Sequence, residues 1–138
     1  MPQREIKAAL ASPEFSEQVG EAVLTSLTEG LQGHSVSKTK ALFDAASFSP
    51  AYFDHMNAAF NFYDSFRVYC HMESATAEGG KGEITADFRL ESVPAQQGVA
   101  ARRRQTTLRL TVEKISAGPK TRQWRITSME PSDFLFEF

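Results

Sequence analysis

The chain is poor in the residues from which disulfides, metal centres and histidine-based active sites are built. It contains one cysteine and three histidines among 138 residues. Cys70 has no partner for an internal disulfide, and His34, His55 and His71 lie in different segments without the close carboxylate or thiolate spacing of a metal site. A chain of this length buries enough surface to fold as one domain without a metal or a disulfide. We therefore predict a single domain, residues 1–138, with no cofactor.

The sequence also lacks long hydrophobic runs and a charge excess of one sign. No stretch is apolar and long enough to span a bilayer, and residues 1–5 lack the hydrophobic run of a signal peptide. The formal net charge is −2 and the calculated pI is about 5.9, so no overall field attracts nucleic acid or anionic lipid. The one dense basic run, residues 102–104, is expected to protect a strand edge. We expect a cytoplasmic protein with no membrane or nucleic-acid partner, although a removed export leader would leave the same sequence.

Helix signals fill the first half of the chain. A capping serine, a proline and an acid at residues 12–14 predict a helix that runs to about Leu31. Ser35 predicts a shorter helix through Leu42 and Phe43, and the Ser-Pro pair at 49–50 predicts a third. Residues 4–11 have the length of one more short helical arm, which is marginal without tertiary support.

From Phe66 onward the hydrophobic period changes from a helical one to two, which is typical of strands with one buried face. Glycines at 79–82, a loop at 93–101 and a Gly-Pro pair at 118–119 separate four such segments, which predicts an antiparallel meander. The residues expected on the apolar face are Phe66, Val68, Cys70, Met72, Ile84, Ala86, Phe88, Leu90, Leu108, Leu110, Val112, Trp124 and Ile126. The other face carries charges, including Asp87, Arg89, Arg109 and Arg125, and we interpret it as a solvated ladder of ion pairs or, alternatively, as a subunit interface anchored by Tyr69 and the arginines.

This order of elements resembles the nuclear-transport-factor-2-like superfamily, and in particular its uncharacterised bacterial members. The segments that carry the resemblance are 27–31, 42–44, 63–68 and 123–126, the last followed by Pro-Ser-Asp-Phe at 131–134. The resemblance implies an α+β fold, a cystatin-like cone in which N-terminal helices pack on a curved antiparallel sheet. It also implies that a homodimer is common, and it covers ketosteroid-isomerase-like enzymes as well as noncatalytic modules.

The apolar face lacks the groups that an enzyme of this kind needs. Its positions offer Cys70 and Met72 but no Asp, Glu, His or Tyr, and a shift of register by one residue would bury several arginines. Cys70 and His71 are strand neighbours that project to opposite faces, so they cannot form a nucleophile and base pair. Asp54 and His55 are helix neighbours that do not face one another. We therefore predict no catalytic residue.

Polar groups for an interior pocket must then come from the helices and the rim. The residues that we select for a ligand-binding rim are Tyr52, Asn57, Tyr63 and Trp124. The resulting hypothesis is a noncatalytic module that binds a small apolar ligand or acts as an accessory protein, and that forms a homodimer. Two alternatives are an isomerase, cyclase or dehydratase with its polar residues on the helices, and a protein-interaction domain whose cone is filled by its own side chains. The apolar end of the chain, residues 133–138, is expected to complete the core or to cover a partner subunit.

Overall fold

The computed structural model describes residues 15–116 and 122–136, and in them three helices precede four strands. The elements are α1 (Glu17–Gln32), α2 (Val36–Lys40), α3 (Pro50–Phe62), β1 (Tyr63–Glu78), β2 (Lys81–Pro94), β3 (Arg102–Ser116) and β4 (Arg122–Glu130). The strands form one antiparallel sheet in the order β1-β2-β3-β4. The predicted α+β fold, with helices packed on a curved antiparallel sheet, is confirmed.

A serine caps each of the three helices. The hydroxyl oxygens of Ser16, Ser35 and Ser49 each accept a hydrogen bond from the backbone N–H three residues further on. The caps at Ser35 and Ser49 were predicted. The predicted start of the first helix was wrong, because residues 15–16 are not helical and Ser16 is the cap; the Ser-Pro signal at 12–13 and the arm at 4–11 lie outside the described residues.

The second helix ends earlier than the sequence predicts, because the chain leaves it to meet the sheet. Ile126 N–H donates to the carbonyl of Leu42, and Asp44 N–H donates to the carbonyl of Ile126, at 2.6 and 2.9 Å. These bonds place Phe43 beside β4 in a parallel bridge. The residues predicted to end the helix therefore cover the free edge of β4 instead.

The strands alternate as predicted, with small differences at their ends. β1 begins at Tyr63 instead of near Ser65, and the turn between β1 and β2 consists of Gly79 and Gly80, whose φ angles of 55° and 81° favour glycine. β2 continues to Pro94, so the following loop is shorter than predicted. The turn predicted around Gly118 and Pro119 lies outside the described residues.

The core lies between the helices and one face of the sheet. The residues of this face that have no exposed surface are Ile84, Ala86, Phe88, Leu108, Leu110, Val112 and Ile126. From the helices Leu27, Leu31 and Met56 are equally buried. At the end of the chain, Phe134, Leu135 and Phe136 pack into the same cluster. The C-terminal apolar residues were expected either to complete the core or to cover a partner subunit. Phe134, Leu135 and Phe136 complete the core.

We expect that Phe88→Ala lowers the free energy of unfolding by about 3–5 kcal/mol, because it removes a fully buried ring in the middle of β2 that contacts Phe134 edge to face. Urea denaturation measures the change. Arg109→Ala is the control: its side chain lies on the opposite face and pairs with Glu83 at 3.3 Å with 62% of its surface exposed, so its loss should cost less than about 1 kcal/mol. Equal stability of the Phe88→Ala variant and the wild type would show that the register of β2 is wrong.

Candidate functional site

Tyr52, the first residue selected for an interior ligand site, is packed among aromatic rings. Its ring centroid lies 5.6 Å from that of Phe43, 4.8 Å from that of Phe48 and 5.7 Å from that of Phe136. Its hydroxyl donates to Met129 Sδ at 3.9 Å. Burial raises the pKa of Tyr52 well above its ordinary value, so the phenol stays neutral at physiological pH. In this structure the hydroxyl that was predicted to meet a ligand meets a neighbouring side chain.

The other three selected residues lie in different surroundings. Tyr63 is buried at the start of β1, with its ring against Phe62 and Phe66, whereas Asn57 is exposed on α3. Trp124 is half-buried and meets Phe15 edge to face, with ring centroids 5.6 Å apart. The contacts of Tyr52, Asn57, Tyr63 and Trp124 do not bring these residues together, and none of them lines either of the two pockets described next.

A pocket of about 700 Å³ opens on the face of the sheet that the helices leave bare. It is lined by Gln32, Arg67, Val68, Tyr69, Arg89, Leu90, Glu91, Arg103, Arg104 and Gln105. Ten residues from β1, β2, β3 and the end of α1 therefore contribute to one concave surface. Its volume falls in the range of small-molecule sites, which is roughly 300–1,000 Å³.

The residues of the pocket form rows of neighbours across adjacent strands. The first row is a carboxylate between two guanidinium groups. The strand register places Glu91 of β2 between Arg67 of β1 and Arg103 of β3. Arg103 Nε donates to Glu91 Oε2, and Arg67 Nη1 lies 3.4 Å from Glu91 Oε1. The arginine side chains are 78% and 83% exposed, whereas that of Glu91 is only 17% exposed. The guanidinium groups of Arg67 and Arg103 are therefore exposed to solvent, whereas the Glu91 carboxylate between them is largely shielded.

The second row combines an exposed aromatic ring with a third arginine. Tyr69, Arg89 and Gln105 lie side by side on β1, β2 and β3. The Arg89 guanidinium lies over the Tyr69 ring, 5.0 Å from its centroid, and Arg89 Nη2 lies 3.7 Å from Asp87 Oδ2. Gln105 Nε2 donates to Asp87 Oδ1 at 3.1 Å. Tyr69 remains 54% exposed, which leaves ring surface for a further contact.

The electrostatics of the pocket differ from those of the whole chain. Three guanidinium groups, those of Arg67, Arg89 and Arg103, and one carboxylate, that of Glu91, lie on this face of the lining, whereas the chain carries a formal net charge of −2. The hydrogen bond from Arg103 to the Glu91 carboxylate, helped by the charges of Arg103 and Arg67, holds the pKa of Glu91 below its usual value. Glu91 is therefore ionised at neutral pH, and the lining still has a positive excess.

The basic run at 102–104 is divided between the two faces of the sheet. Both Arg103 and Arg104 belong to the lining of the pocket, but only the Arg103 guanidinium lies on the exposed face, whereas the half-buried Arg104 side chain points to the core side. Arg104 Nη2 donates to the carbonyl of Leu135 at 3.5 Å, and its guanidinium lies 5.0 Å from the centre of the Phe134 ring. This run was interpreted as protection of a strand edge, and the pocket was missed. The missing signal was the cross-strand register, which joins Arg103 to Arg67 through Glu91.

A smaller groove of about 340 Å³ lies between α1 and β1. Glu21, Glu29 and Cys70 are among its lining residues, so its charge is opposite to that of the larger pocket. Burial, followed by the charges of Glu21 and Asp87, raises the pKa of Cys70 to about 11. The thiol is therefore protonated at neutral pH and is a weak nucleophile. His71 lies on the exposed side of β1, as expected for the next residue along a strand.

Within residues 15–116 and 122–136, no group of three or more His, Cys, Asp or Glu residues has the arrangement to hold a metal ion. None of the helices in the same ranges combines the length and the apolar character needed to cross a membrane.

Comparisons with known proteins show the fold and leave the family open. No family model matches the sequence, and no curated protein matches it. Among solved structures, a conserved protein from Planctomyces limnophilus DSM 3776 is similar, with a TM-score of 0.67 and 8% sequence identity. The match covers 82% of this chain and 91% of that chain. At this identity the likeness shows a shared fold alone.

The position of Glu91 between two arginines gives a testable pKa. We expect Arg103→Ala to raise the pKa of Glu91 towards its ordinary value, because the substitution removes the hydrogen bond that lowers it most. Carbon-detected NMR titration of the glutamate carboxyl groups measures the shift. Arg109→Ala, which removes an arginine from the same face but from a different ion pair, should leave the Glu91 titration unchanged. An unchanged midpoint in Arg103→Ala would contradict the observed hydrogen bond.

Proposed function

We propose that this protein is a noncatalytic binding module of the nuclear-transport-factor-2-like type, and that its ligand site is the pocket on the bare face of the sheet. The observation that carries the proposal is the pocket of about 700 Å³ around Tyr69, Arg89 and Arg103. Sites of this kind combine an aromatic surface with a few polar groups that orient the ligand. The proposal moves the ligand from the interior, where the sequence suggested Tyr52 and Tyr63, to the exterior.

The packing of the interior supports this change of location. The Tyr52 hydroxyl already has a partner in Met129, and the rings of Phe43, Phe60 and Phe136 pack between the helices and the sheet. An isomerase, cyclase or dehydratase of this type needs an acid or base held inside the cone. The buried positions of the described strands carry no Asp, Glu or His. These features favour a binding module over an enzyme.

A second candidate is a homodimer that uses the same face of the sheet. Three large hydrophobic residues are exposed in the described part of the chain, and Tyr69 is the one with more than half of its surface accessible; arginines lie beside it in the pocket. Aromatic residues and arginine are enriched at the centres of protein interfaces. The alternating charges on the strands, such as Glu83 beside Arg109, would let two copies of the face pair through a twofold axis.

Backbone amide NMR during a titration with a library of small organic molecules locates the ligand. We expect shifts in the amides of Tyr69, Arg89 and Gln105, because these residues line the pocket. Shifts centred on Tyr52 and Trp124 would place the ligand in the interior and overturn the proposed site. If no member of the library shifts either group, the binding function itself is contradicted, and an interaction domain with a filled cone becomes the better description.

Sedimentation equilibrium tests the dimer. If the bare face is a subunit interface, Tyr69→Ala should weaken dimerisation by roughly tenfold or more, because an aromatic residue at an interface centre contributes strongly to affinity. Asn57→Ala is the control: Asn57 is exposed on α3, a helix that packs on the opposite, apolar side of the sheet, so its loss should leave the dimer intact. A monomeric wild type, or a dimer that both variants retain, would contradict this candidate.

A further inference from the structure

We infer that the ligand of the exposed pocket is a small organic anion, a carboxylate or phosphate attached to a flat apolar group. This inference rests on the proposed function and specifies the chemistry of the same site. It depends on three features of the described residues: the charge of the lining, the sharing of one carboxylate by two arginines, and the exposed ring of Tyr69.

The first feature is an excess of positive charge that the strand order concentrates in one place. Arg67, Arg89 and Arg103 project from three adjacent strands, and Glu91 is the one acidic residue in the lining. Asp87 pairs with Arg89 from outside the lining, so two carboxylates face three guanidinium groups. One anionic ligand would balance this local charge. A cation would meet the arginines first and would be repelled.

The second feature is that Glu91 cannot use all the donors around it. A guanidinium has five N–H donors in a planar fork, and a carboxylate offers about four acceptor positions. The structure shows one contact from Arg103 Nε and one from Arg67 Nη1 to the two oxygens of Glu91. The arginine side chains are largely exposed beyond these contacts. A ligand carboxylate or phosphate can accept from the outer edges of both guanidinium groups, and such charge-assisted, two-pronged bonds are strong and directional.

The third feature is an apolar surface beside the cations. Tyr69 is the cross-strand neighbour of Arg89 in the second row, which lies two residues along each strand from the row that contains Glu91. Its ring is more than half exposed although Arg89 lies over it. A ligand whose anionic group meets Arg67 and Arg103 can lay an attached flat group on this ring. Aromatic pairs in offset or edge-to-face arrangements add affinity beyond the area that they bury.

The test compares three probes of similar size, each a phenyl ring with one polar group of different charge. Benzoate, benzyl alcohol and benzylamine are titrated into the full chain while the amides of the pocket are followed by NMR. We expect benzoate to bind most tightly, benzyl alcohol more weakly and benzylamine least. Arg103→Gln should weaken benzoate binding about fivefold, and Arg109→Gln, on the same face but outside the lining, should leave it unchanged.

Glu91→Gln gives the sharpest outcome, because it should strengthen binding of benzoate. The substitution keeps the shape of the side chain, removes the negative charge that competes for both guanidinium groups and leaves one neutral acceptor oxygen beside them. Tighter binding of benzoate to Glu91→Gln, without a change for benzyl alcohol, supports an anion site. Thermal unfolding of each variant checks that the fold is intact.

Three results would overturn the inference, and they differ from one another. If benzyl alcohol shifts the pocket amides as strongly as benzoate, the binding site stands and its preference for anions is wrong. If none of the probes shifts these amides, the site itself is contradicted together with the proposed function. If the amides shift with protein concentration in the absence of probe, a second copy of the chain occupies the face and the small-molecule site is rejected.

Discussion

The alternation of side chains along β2 is the constraint on which both the core and the candidate site depend. β2 lies between β1 and β3, so both of its edges are paired and its register is fixed on each side. Phe88 and Leu90 are buried, whereas Arg89 and Glu91 point to the bare face. A slip by one residue would bury two charges and expose two core residues. The core therefore determines where the charged residues of the pocket lie.

Local signals were enough to predict most of the elements, and long-range contacts explain the exceptions. The caps at Ser35 and Ser49 and the period of two after Phe66 are readable within a few residues. The early end of α2 is different, because it depends on hydrogen bonds from Ile126, more than eighty positions further along the chain. No pattern near Phe43 contains that partner.

The site was harder to predict than the fold because it is a property of register. The sequence identified the outward positions of the strands, including Arg89, but it did not show which of them share a row. Arg67, Glu91 and Arg103 become one cluster only when both ladders are aligned. Tyr52 and Tyr63 were chosen because their side chains can contact a ligand. The sequence does not show which side chains their hydroxyl groups and rings already contact. In the structure Met129 accepts from the Tyr52 hydroxyl, and the Tyr63 ring is packed beside Phe66.

Arg104, which follows Arg103 in β3, also connects the pocket to the core. Arg104 turns from β3 towards the C-terminal segment, where it contacts the Phe134 ring and the carbonyl of Leu135. This anchors the backbone of β3 beside Arg103, while Gln32 Oε1 accepts from Val68 N–H at 3.1 Å and holds the edge of β1 beside Arg67. The strands that present the two guanidinium groups are thus held in place by contacts within the chain. If the proposed ligand binds here, only side chains would have to be ordered, and a site that is arranged in advance loses less conformational entropy on binding than a mobile loop.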